Sequence, residues 1–95
     1  MKLTQSFDMT ITRADFLRLL PAAVNHVPFV VAGEDIFHAE IGRSWRMNLS
    51  PLPELRIGAI RLARHRLTLE FEDYEQAEII AFCERFELYF RRGGG

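Results

Sequence analysis

Cysteine, lysine and long apolar runs are nearly missing from this chain, and each shortage removes a class of protein. One Cys in 95 residues leaves nothing to pair with inside the chain. The fold must therefore rest on a core rather than on disulfides, and a reducing, cytoplasmic setting is expected. The most apolar short run, "VPFVVAG", is far below a membrane span, so no membrane association is expected. The start, "MKLTQSFDMT", lacks the apolar stretch of a secretory signal. His26, His38 and His65 are scattered and have no zinc-ligand spacing with Cys83, so no metal or cofactor is expected. There is no Gly-rich phosphate loop and no G-x-S-x-G context. Cys83 falls between Phe82 and Phe86 on an apolar stripe, where a buried structural thiol is expected rather than a nucleophile. No catalytic residue is nominated, and a non-enzymatic role follows.

What is present is apolar and aromatic material. Hydrophobic residues make up 48% of the chain and eight are Phe, enough for one core at this length. The reading is a single α+β domain over residues 1–92, followed by a flexible glycine tail, 93–95. In "SFDMTI", Phe7, Met9 and Ile11 alternate with Asp8 and Thr10, as in a half-buried strand. In "TRADFLRLLPAAVN", Thr12 and Asp15 resemble a capping box, and Phe16, Leu17, Leu19, Leu20, Ala23 and Val24 form a helical face. Pro21 predicts a break or kink near Leu20. "PFVVAGEDIFHAEIG" reads as a hairpin turning at 33–35, with Phe37, Ala39 and Ile41 on one face and His38 and Glu40 on the other.

"SWRMNL" places Trp45, Met47 and Leu49 inward, and the prolines of "SPLPE" predict a loop or a crossing at the sheet edge. "LRIGAIRLARHRLTLEFE" is strand-like, but its apolar phase slips. A bulge or bend at Gly58-Ala59 would absorb the slip, and "ARHR" would turn the chain. The last helix starts near Asp73 and Gln76. It carries a stripe of Ile79, Phe82, Cys83, Phe86 and Phe90, widened by Ile80 and Tyr89.

The expected fold is α+β: a single layer of mostly antiparallel sheet, about five strands, with two helices on one face in the order β-α-β-β-β-β-α. In architecture that order resembles the TATA-binding-protein-like fold and a shortened helix-grip fold; the resemblance implies a fold and no function. The ending "YFRRGGG" is similar to that of ubiquitin-like carriers, whose tail leaves a strand. Here the tail leaves a helix, so Gly93 is expected to stop that helix and the rest to be mobile.

Charge is unevenly placed. Residues 43–66 hold six Arg against Glu54, a balance of +5, and residues 70–88 hold seven acids against Arg85, a balance of −6. Three functional readings follow. The leading one is a small soluble binding or protein–protein interaction module, whose partner is another protein or a second copy of the chain. The second is nucleic-acid binding through the 43–66 segment, by Arg46, Arg56, Arg61, Arg64 and Arg66. It is disfavoured because Asp8, Glu40, Glu70 and Glu72 would share the sheet face, with Glu40 expected opposite Arg46. The third is an apolar ligand held between the last helix and the sheet, by Phe82, Phe86 and Phe90 opposite Trp45, Met47, Leu67 and Leu69. His38 joins the five arginines as a candidate binding residue, because it and Glu40 share a strand face and can form an acid–base pair.

Overall fold

The structure, a computed structural model, describes residues 2–94. Five strands form one antiparallel sheet: β1 (Lys2–Met9), β2 (Val30–Ala32), β3 (Asp35–Glu40), β4 (Arg43–Ile57) and β5 (Ile60–Glu72). Helices α1 (Arg13–Ala23) and α2 (Gln76–Gly94) complete the expected β-α-β-β-β-β-α order. The sheet runs β1-β5-β4-β3-β2, so the first strand closes against the last. Both helices lie on one face. Phe16, Leu20 and Ala23 of α1 and Ile79, Phe86 and Phe90 of α2 share one buried cluster with Trp45, Met47, Leu49, Leu67, Leu69 and Phe71. The alternation of the last six residues in sequence is what puts them on one side.

The local signals explain most element ends. Thr12 caps α1, its Oγ1 accepting from the Asp15 amide at 3.1 Å. Pro21 does not break the helix. It lies within α1, one turn from its end, and the Val24 amide still reaches the Leu20 carbonyl at 3.0 Å. Only the bond to Leu17 is lost, and Leu20 and Ala23 on either side are fully buried. At α2 the cap lies two residues later than expected: the Glu75 amide donates to Glu78 Oε1, and Asp73 takes a left-handed φ of 64°. The stripe of α2 is as expected, except that Ile80 points out and is 50% exposed. Helix α2 continues through Gly93 to Gly94, past the stop expected at Gly93.

Three expectations for the strands fail. Gly58-Ala59 is a two-residue hairpin turn, not a bulge, because Ile57 pairs with Ile60 and Gly58 supplies a φ of 60°. "ARHR" is uninterrupted strand within β5. "SPLPE" is also strand, with a register shift between Leu52 and Leu55. Its prolines are tolerated because β3 pairs with β4 only as far as Asn48. Beyond that point β4 has a free edge, where a missing N–H costs no ladder bond.

Candidate interaction surfaces

The register of β4 and β5 divides their hairpin into two parts. Residues 43–49 and 65–72 lie inside the sheet, flanked by β3 and β1. Residues 52–64 extend past both neighbours as a two-stranded arm, in a molecule 48 Å long and 25 by 21 Å across. Cross-strand partners share a face, and the arm pairs Leu55 with Leu62, Arg56 with Arg61 and Ile57 with Ile60. In β5 the odd residues Leu67, Leu69 and Phe71 are buried against the helices. The even residues Ile60 and Leu62 therefore lie on the opposite face, together with Leu55 and Ile57. At the register shift two β4 residues, Pro53 and Glu54, stand opposite the single Ala63 of β5, and the surplus of one puts β4 in the same phase as β5. The apolar face of the ribbon thus changes sides between the sheet and the arm. Leu55, Ile57 and Ile60 are 40%, 58% and 59% exposed.

The five nominated arginines do not converge. Arg46, Arg64 and Arg66 lie on the sheet face away from the helices, and Arg56 and Arg61 lie on the other face of the arm. Each has a carboxylate close by. Arg46 is 3.7 Å from Asp35, Arg56 and Arg61 are 3.3 and 4.0 Å from Glu54, and Arg64 is 3.9 Å from Asp8. Arg66 holds Asp8 through two bonds of 2.8 and 3.3 Å. The hydrogen bond from Arg66 keeps the Asp8 carboxyl below its usual range, and Asp8 in turn raises Arg66. Five guanidiniums thus share three carboxylates. Glu40 does not face Arg46 as expected: it pairs with Arg43 across the β3–β4 turn, and Phe37 faces Arg46.

The phase of β3 is also opposite to expectation. Ile36 and His38 point inward, His38 being 7% exposed, and Phe37 is 37% exposed. His38 Nδ1 meets the Pro28 carbonyl, so that nitrogen carries a proton and Nε2 is left as the acceptor in the neutral ring. Nε2 lies 3.6 Å from Glu40 Oε2, beyond hydrogen-bond reach. His38 and Glu40 line a cleft of about 400 Å³ between β3, β4 and α2, with Arg43, Tyr74, Phe82 and Arg85 among the other walls. Arg43 bridges Glu40 and Glu78 and lies 5.0 Å over the Tyr74 ring. Its hydrogen bond holds Glu40 below the usual carboxylate range, and burial pushes the Tyr74 hydroxyl up.

A second cleft, about 380 Å³, opens between β1 and α2, with Phe7, Met9, Ile11, Phe86 and Phe90 among its walls. Cys83 lines it too, half-buried and free of any disulfide, its Sγ donating to Gln5 Oε1 at 3.6 Å. Burial, with Glu87 adding to it, raises the thiol above its ordinary value, which works against a thiolate nucleophile. Of the seven residues expected to line an apolar pocket, Leu69, Phe86 and Phe90 line this cleft, Trp45 and Phe82 line the one around His38, and Met47 and Leu67 are fully buried. The face change of the arm and the cleft around His38 were not readable in the sequence; the apolar phase slip between Ile57 and Ile60 was the one signal of the former, and it was placed at Gly58-Ala59. Among the described residues no group of three or more His, Cys, Asp or Glu could hold a metal ion, and no helix is long and apolar enough to cross a membrane. Comparison of the chain with protein families, with curated proteins and with solved structures finds no match.

Proposed function

We propose that the chain is a non-catalytic protein-binding module that engages its partner through the β4–β5 arm, in the reducing cytoplasm suited to its one free thiol. The observation that carries this reading is the aliphatic face of exposed Leu55, Ile57 and Ile60 beside half-buried Leu62, turned away from the protein's own helices. A two-stranded ribbon alone is marginal in water, and its aliphatic face, beyond what the cross-strand pairs gain from each other, is removed from water only by an outside surface. Arg56 and Arg61 lie on the other face of the arm and share Glu54, which weakens any claim on phosphate. A second copy stacked arm to arm would offer little area. A ribbon face of about 20 by 10 Å is small beside the roughly 800 Å² per partner of a standard interface. A different protein with a groove that wraps the arm fits better.

Affinity capture with the wild-type chain and with the Ile57→Lys, Ile60→Lys double variant tests the reading. A protein held by the wild type and lost from a variant of unchanged thermal stability supports it. Equal recovery by both sinks it. A sequence-selective DNA or RNA complex that weakens steeply with salt would restore the arginine reading. The β1–α2 cleft favours a second reading, an apolar ligand, which a saturable shift in Phe86 and Phe90 ring resonances with a fatty-acid probe would support.

A further inference from the structure

We propose that the His38 cleft binds a small amphoteric molecule with a flat apolar body: one anionic oxygen, one ammonium-type donor and an aromatic or similarly planar group. This site is separate from the arm. Three observations define it. First, His38 is more than nine-tenths buried, and among the described residues its Nε2 has no polar neighbour closer than the Glu40 carboxylate, 3.6 Å away. No buried side-chain nitrogen or oxygen among the described residues lacks a partner, so Nε2 meets the open cleft. A ring fixed by the Pro28 carbonyl thus presents an acceptor to whatever enters.

Second, the charges in the wall are split. Glu40 and Glu78 flank Arg43, a group that sums to −1. Arg85 is anchored separately: its Nε donates to the Ala22 carbonyl at 2.9 Å, and its guanidinium lies 5.1 Å over the Tyr89 ring. Its terminal nitrogens have no carboxylate among the described residues, which leaves a held cation facing the cleft. A zwitterion matches this division: its carboxylate at Arg85, its ammonium at Glu40 and His38 Nε2.

Third, Trp45 and Phe82 form an aromatic wall, 5.9 Å between ring centroids, suited to a flat apolar group. The rim beside this wall is backbone in an uncommon state. Asn25, which lines the cleft, and His26 take left-handed φ values of 57° and 59° in succession. Such conformations hold only where surrounding structure enforces them.

Trp45 is the only Trp in the chain, so its fluorescence reads this cleft directly. The probes are phenylalanine, phenylacetate, which lacks the ammonium, and phenethylamine, which lacks the carboxylate. Phenylalanine should change Trp45 emission saturably, with each truncated probe binding about tenfold more weakly. Arg85→Gln should reduce phenylalanine to the level of phenethylamine, and Arg85→Lys should recover part of the difference. No response to any probe up to about 10 mM, or equal affinity for all three, overturns the proposal. The ranking of the three probes on the wild type decides the matter even if the Arg85 variants fail to fold. The arm variant Ile57→Lys, Ile60→Lys should keep phenylalanine binding unchanged, which separates this site from the arm.

Discussion

Strands β4 and β5 live in two environments along one hairpin. Between 43 and 49 and between 65 and 72 they have neighbours on both edges and helices on one face. Between 52 and 64 they pair only with each other. The residue types hardly differ: Leu49, Leu67 and Leu69 are buried to 1% exposure or less, and Leu55 is 40% exposed. Burial here is set by what stands opposite a strand, and apolar content alone does not reveal it. The same difference separates a part of the molecule that stabilises the fold from a part that is free to serve something else.

Substitution should expose the contrast most sharply. Phe16 is fully buried and stacks on Phe90 at 4.8 Å, so Phe16→Ala should cost about 3–5 kcal/mol in urea unfolding. Ile57→Ala should stay within about 0.5 kcal/mol. Equal losses would mean that the arm is part of the core. Hydrogen exchange should resolve the same boundary along one strand. Amides of Leu67, Leu69 and Phe71 should exchange on the order of a thousandfold more slowly than those of Ile60 and Leu62, because the sheet opens only with the whole fold. Uniform protection along β5 would erase the distinction.

Two smaller effects test the edges of the covered region. His38→Ala leaves the Pro28 carbonyl without its partner and should cost about 1–3 kcal/mol, with no change in arm exchange. Acidification should act least. Arg66 and Arg43 hold Asp8 and Glu40 below their ordinary values, so in acid the folded chain binds fewer protons than the unfolded one. The stability these pairs supply is complete above the ordinary carboxylate range and drains as pH falls through and below it. Asp8→Asn should flatten that part of the acid unfolding curve, and an unchanged curve would show the Asp8 pair to be without weight.

Much of the fold could be read from the chain because period and punctuation agree. "SWRMNL" and "RLTLEFE" alternate cleanly, Thr12 caps a helix, and Gly33 and Gly42 mark turns at φ values of 63° and 86°. The misreadings share one physical origin: a residue judged by its type where its neighbours decide. Pro21 looks like a breaker, but it lies one turn from the end of a well-buried helix. Pro51 and Pro53 look like loop, but they lie where β4 has no β3 beside it. His38 looks like the outer face of a strand, but a carbonyl from the preceding loop holds its Nδ1 inside. The candidate surfaces were legible only as fragments. The arginines could be counted, but not the carboxylates that each would meet, and the phase slip was visible but placed at Gly58-Ala59, without its meaning.

The prolines of β4 also bear on how the protein survives in a crowded cell. An arm with an aliphatic face and open edges is a template for adding further strands, and repeated addition is how sheets grow into fibres. Pro51 and Pro53 remove two amide donors from the open side of β4, and Arg56 and Glu54 follow with charge. The β5 edge opposite has Arg61 and Arg64 but no proline. If copies of this chain ever join edge to edge, the seam should form along residues 60–64, and the β4 side should stay closed.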